Sequence, residues 1–200
     1  LTPSPRHDRI ATASTTPMLE FCYELPYEEL DFTDPETHEL YRIGRGEQGV
    51  LLVRPYTNDI CAHWRFKTPD EAVTSSNKIY AMYLDYRDAK DFVGMDMCRK
   101  FLEMGFTRAR RYANHHSGKK YDDNGEVRPQ ESDHWTCDYN RSAQIFKRVR
   151  DIVANNEEYK RQRKLWRSNE STHAVRVDAL ATSSNVTRQR YSRKRTKVSG

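Results

Sequence analysis

Arg108, Arg110 and Arg111 have no Asp or Glu within four residues on either side, and the positive stretch continues through His115, His116, Lys119 and Lys120. Thr107 reads as the N-cap of a helix over 108–115, after Gly105 has ended the helix before it. Spacings of three, four and seven place Arg108, Arg111, Tyr112 and His115 on one helix face. Guanidinium forks beside unsatisfied backbone N–H groups form a site for phosphate or carboxylate. The competing expectation is that Asp122, Asp123 or Glu131 folds over and pairs with these arginines. A second candidate lies at the C-terminus, where Arg188, Arg190, Arg193, Lys194, Arg195 and Lys197 occur with no acid between Val186 and Gly200. Unstructured basic arms often bind nucleic acid. Lys194-Arg195-Thr196-Lys197 resembles a short nuclear-targeting tract.

Other suggestive patterns read as structural. Gly44-x-Gly46-x-x-Gly49 has the letters of a dinucleotide fingerprint, which requires a strand before it and a helix after it. Here the apolar run Val50–Val53 follows instead. A kinase-type glycine loop would need a downstream lysine and metal-binding motifs, and these are missing. The glycines are expected to serve turns with positive φ. Arg99 and Lys100 have Asp96 and Glu103 at helical spacing, while Glu157 and Glu158 precede Lys160, Arg161, Arg163, Lys164 and Arg167. Both groups read as ordinary solvated faces. Among His63, His115, His116, His134 and Cys137, only His134-x-x-Cys137 is closely spaced, so no metal and no cofactor is expected. His63, beside Trp64, reads as a packing histidine. No nucleophile with a base and no carboxylate pair stands out, so no catalytic residue is assigned.

The elements that must position these groups follow from capping and periodicity. Asp34-Pro35 opens a short helix. Val50–Val53 reads as a strand, and 60–66 as a second that pairs back to form a hairpin. Thr68-Pro69-Asp70-Glu71 is a capping box opening a helix to about Lys90. Asp91 caps a helix over 92–104, followed by the basic helix 108–115 and a polar loop over 119–140. A helix over 141–154 turns Ile145, Phe146, Val149, Ile152 and Val153 inward, and Asn156 caps another over 157–167. The expected fold is therefore mainly α, a single compact helical domain with a small β-hairpin near the N-terminal third.

Of the 200 residues, 36% are apolar and 32% charged, enough for one core with part of the chain solvated. The longest aliphatic run is four residues, so no membrane span is expected. The four cysteines are far apart, which fits a reducing compartment. The formal net charge is +5, yet without the six cations of the tail the chain holds 28 basic and 29 acidic residues. The expected organisation is a disordered Ser/Thr/Pro-rich leader over 1–17 (an extension before Met18 or a transit peptide), a domain over 18–167, and a disordered basic tail over 168–200.

Two long blocks carry a family resemblance. They are Tyr41-Arg42-Ile43-Gly44-Arg45-Gly46-Glu47-Gln48-Gly49-Val50-Leu51-Leu52-Val53 with His63-Trp64-Arg65-Phe66, and 91–115 from Asp91-Phe92-Val93-Gly94 to Tyr112-Ala113-Asn114-His115. The chain resembles, over roughly 18–167, the family called domain of unknown function 4385. The resemblance implies a shared fold and a cytoplasmic setting, and brings no catalytic residues. A nuclear location through the basic tail is the alternative. From the residues themselves the expected function is polyanion binding, with nucleic acid held by 108–120 and the tail. The alternatives are an enzyme whose same arginines hold a small phosphate- or carboxylate-bearing substrate, with His63 or His115 moving a proton, and a protein-interaction module.

Overall fold

The computed structural model describes residues 21–198, except for the side chains at 171, 175 and 184–198. The expectations for 1–17, and for the side chains of Arg188, Arg190, Arg193, Lys194, Arg195 and Lys197, lie outside the described residues. Six helices follow in order: α1 (Pro35–His38), α2 (Tyr56–Cys61), α3 (Pro69–Asp88), α4 (Phe92–Asn114), α5 (Asp138–Asn155) and α6 (Glu157–Val198). α3, α4 and α5 each pack on the other two, and α6 crosses back over α4 and α5.

Local chemistry explains several boundaries. Thr68 Oγ1 accepts from Glu71 N, and the Glu71 carboxylate accepts from Thr68 N, which completes the capping box of α3. Asp91 caps α4 by accepting from Gly94 N at 2.9 Å. Asn156 Oδ1 accepts from Tyr159 N, so it caps α6 as expected. α4 supplies the centre of the core with Phe92, Val93, Met95, Met97, Cys98, Phe101 and Leu102, all at most 2% exposed. Ile79 and Tyr83 of α3 and Phe146 and Val153 of α5 meet it. Of the α5 positions expected to face inward, Ile152 is instead exposed.

The β-hairpin does not form, and no strand occurs among the described residues; Tyr121 and Val127 make an isolated bridge. Residues 47–53 wind through successive turns, with Val50 N donating to Glu47 O and Leu52 N to Gly49 O. Thr57 Oγ1, on α2, donates to both Val50 O and Val53 O. The run is apolar because Val50 and Val53 are core residues of a coiled loop, not because it alternates in a sheet. Residues 60–66, the expected partner strand, finish α2 and turn towards α3.

The break expected at Gly105 is also absent. α4 runs straight through it, and a Cβ there would lie 2.4 Å from the Phe146 ring. Gly105 therefore allows α4 and α5 to approach closely, where a helix stop was expected. Thr107 caps nothing; its hydroxyl bonds to Met104 O and Glu47.

α6 continues well beyond Arg167. Glu170 is buried, and Val177 and Ala181 are 1% and 9% exposed within the core cluster. Residues 168–183, expected as disordered tail, are thus helical and partly packed. Their apolar positions are too sparse to register as a periodic stripe, but Val177 and Ala181, four apart, lie on one face. No helix among the described residues is long and apolar enough to cross a membrane.

Candidate anion-binding site

The arginines singled out by sequence divide into two kinds. Arg110 is fully engaged: it donates to His134 O at 2.8 Å, Asn140 Oδ1 at 2.7 Å and Asn114 Oδ1 at 2.7 Å, and it stacks 4.3 Å from the Trp135 ring centroid. Its role is to fasten the loop before α5 to α4. Arg108 is half-buried and Arg111 exposed, and neither has an ion-pair partner among the described residues. Tyr112 stacks on Tyr139 and touches Phe66. His115 is 6% exposed, and its Nδ1 has no hydrogen-bond partner. Lys119 and Lys120 are exposed, with Lys120 Nζ over the Tyr121 ring. Among the anticipated acids, Glu131 does fold over, but onto the His116 ring and backbone N–H. Asp122 accepts instead from Asn124 N and Glu126 N within its own turn. His63 is exposed rather than packed, while Trp64 beside it donates to Phe101 O. Among the described residues no group of three or more His, Cys, Asp or Glu could hold a metal ion, and the four cysteines are free thiols.

The strongest concentration of chemistry lies where α4 and α6 meet the glycine loop. Asp96 is completely buried on α4. It accepts hydrogen bonds from Tyr41 Oη, from Tyr159 Oη at 2.6 Å and from Arg99 Nε at 2.8 Å. Burial alone would raise its pKa, but the charges of Arg99 and Lys100 and these hydrogen bonds outweigh it and hold the carboxyl well below the usual range. Lys100, also fully buried, donates to Gln48 O, and burial pushes its ammonium down to about 8 despite the attraction of Asp96.

Around this buried acid is a concave, basic surface. A cavity of about 340 Å³ is lined by Gly44, Arg45, Gly46, Arg99, Ala154, Tyr159, Lys160, Arg163 and Arg167. It contains five cations and no carboxylate. Three of the five have acid partners: Arg99 with Asp96, Lys160 with Glu157, and Arg167 with Glu170 at 2.7 Å. Arg45 and Arg163 have none among the described residues. The Nη1 of Arg163 is buried without any hydrogen-bond partner. An unsatisfied buried donor costs about 1–3 kcal/mol.

The loop is shaped for close approach. A Cβ on Gly44 would lie 2.7 Å from Gln48 Cβ and 3.2 Å from Lys100 Nζ, so only glycine fits there. Gly46 and Gly49 have φ of +52° and +77°, the left-handed turn conformations that glycine adopts readily. The positive φ expected of these glycines holds at Gly46 and Gly49 but not at Gly44, and Gly44 and Gly46 also form a cavity wall. α6 is tied to the same loop: Glu170 Oε1 accepts from Ile43 N at 2.8 Å, and Arg167 donates to Ile43 O at 2.8 Å.

Sequence reasoning missed this site because it weighed each charge against neighbours on its own helix. The available signal was joint: a glycine loop, a basic pair on α4 and a basic run on α6, none of which is large alone.

A family model described as Domain of unknown function (DUF4385) matches residues 22–169. No curated protein and no solved structure gives a match. The matched span contains the glycine loop, α4, and Lys160, Arg163 and Arg167 of α6. On this match across most of its length, the chain belongs to the DUF4385 family.

Proposed function

We propose that this protein binds a small phosphate- or carboxylate-bearing anion in the basic cavity between the Gly44–Gly46 loop, α4 and α6. The observation that carries the reading is a concave surface with no lining acid and five lining cations, of which Arg45 and Arg163 have no ion-pair partner among the described residues. Arginine forks in a partly desolvated cavity favour oxyanions, and charge-assisted hydrogen bonds are roughly twice as strong as neutral ones. The lining includes no carboxylate, histidine, cysteine or serine that could move a proton or attack a substrate. Of the other lining groups, Tyr159 and Lys160 are of types that can move a proton, and each is held by an acid, Asp96 and Glu157 respectively.

The test is thermal unfolding at fixed ionic strength with chloride replaced by phosphate. A ligand that binds only the folded state stabilises it by RT ln(1 + [L]/Kd). A rise in Tm that saturates with phosphate is expected, and no rise beyond the chloride control would refute the reading.

Nucleic-acid binding is the second reading. Arg108 and Arg111 favour it, because they are accessible and unpaired where Lys119 and Lys120 are exposed nearby. Affinity for duplex DNA should then fall steeply with salt, and replacing both arginines by alanine should reduce the slope of log affinity against log salt by roughly two units. Arg110 would not contribute, since its three hydrogen bonds are internal.

A further inference from the structure

The charge around the basic cavity is not balanced. Its five lining cations are joined from behind by Lys100: a Cβ on Gly44, which lines the cavity, would stand 3.2 Å from Lys100 Nζ. Against these six stand the three carboxylates that pair with them, Asp96, Glu157 and Glu170. Glu47, the acid nearest Arg45 in sequence, is held by the Thr107 hydroxyl and does not line the cavity. Among the described residues the cluster therefore carries a surplus of three positive charges. The two guanidiniums with no acid partner come from different walls. Arg163, on α6, is half-buried, and Arg45, on the glycine loop, is exposed.

We infer that the anion held in this cavity is a diphosphate group taken without a metal ion, one phosphoryl group at Arg163 and the other at Arg45. The inference rests on the anion-binding reading above and names its ligand class. Like charges crowded in a partly desolvated cavity repel one another, and an anion relieves that repulsion in proportion to its own charge. A single phosphate brings about 1.5–2 negative charges near pH 7, and a second phosphoryl group raises this to about three, which matches the surplus. Each unpaired guanidinium offers a fork of donors to the oxygens of one phosphoryl group. A divalent cation would find nothing to hold it, because Mg²⁺ is ordinarily shared between phosphates and protein carboxylates and the lining has no carboxylate. Whatever the diphosphate is attached to finds little purchase either: Ala154 is the sole aliphatic side chain among the described lining residues, and Tyr159 is only 2% exposed. A volume of about 340 Å³ lies at the small end of ligand pockets.

Calorimetric titration of the full chain at fixed ionic strength with inorganic phosphate, inorganic diphosphate and ADP, in the presence of EDTA, tests this. Diphosphate should bind about tenfold or more tighter than phosphate. Arg45→Gln, at an exposed position, should abolish that preference and change phosphate affinity little, whereas Arg163→Gln should weaken both ligands. Arg108→Ala/Arg111→Ala should keep the preference, which separates the cavity from general attraction to a basic surface. Replacing EDTA by excess Mg²⁺ should weaken diphosphate binding. The assignment stands with either ADP result: ADP as tight as diphosphate identifies a diphosphate ester as an accepted source, and ADP no tighter than phosphate identifies the free ion. If phosphate binds but diphosphate is no tighter, or the preference survives Arg45→Gln, or diphosphate requires Mg²⁺, this inference falls alone. If neither phosphate nor diphosphate binds, the anion-binding reading fails first.

Discussion

Two arginine-rich regions of this protein use the same residue type in opposite ways. Along the C-terminal half of α4, positive charge is dense in sequence but dispersed in space: Arg110 is consumed in internal hydrogen bonds, while Arg108 and Arg111 sit on the outer surface of a helix. Between α4, α6 and the glycine loop, four of the five cations, all but Arg163, have an acid within four residues in sequence, yet all five converge on one concave surface with no lining acid. Charge read along a chain measures local compensation. Charge in a cavity depends on which face each helix turns inward, and that determines whether an anion is surrounded or merely attracted.

The largest effect should come from the buried acid that organises the second region. Asp96→Asn would leave Arg99 and Lys100 without their counter-charge and should cost about 3–5 kcal/mol in urea unfolding. The same residue sets an acid limit. Its folded pKa lies below the unfolded value near 3.8, so its contribution is complete above that pH and is lost as pH falls below it. Wild-type stability should therefore fall more steeply below about pH 4 than that of Asp96→Asn. Lys100 acts with the same sense at the alkaline end. Its folded pKa of about 8 lies below the ordinary 10.5, so the unfolded chain holds the extra proton in that window and this residue's contribution to stability rises with pH across it.

Next in size is the docking of α6. Val177→Ala removes two buried carbons and should cost about 2 kcal/mol. An unchanged Tm would mean that α6 beyond residue 168 does not pack on the body. Arg110→Ala, which removes three hydrogen bonds at a partly exposed position, should cost about 1 kcal/mol. Arg111→Ala, an exposed residue with no partner, should stay within about 0.5 kcal/mol of wild type. Equal losses for these two variants would erase the distinction drawn between neighbouring arginines.

Much of the helical plan was legible because its signals are local. The Thr68 capping box, the Asp91 and Asn156 caps and the helices they open depend on residues three or four apart. What could not be read depends on contacts distant in sequence. Gly105 resembles a stop until Phe146 is set against it. Val50–Val53 resembles a strand until Thr57 is seen to satisfy its carbonyls. Arg99 resembles a member of a neutral surface pair, but its acid, Asp96, is buried and shared with Tyr41 and Tyr159. The site inherits the same difficulty, since Arg45, Arg99 and Arg163 share a cavity only once α6 has folded back over α4.

The contrast between the two regions is tested most directly by calorimetric titration of inorganic phosphate into wild type, Arg163→Gln and the double variant Arg108→Ala/Arg111→Ala. Wild type should bind, Arg163→Gln should bind about tenfold or more weakly, and the double variant should match wild type. Phosphate affinity that survives Arg163→Gln but disappears in the double variant would contradict the account, and would place the anion on the outer face of α4.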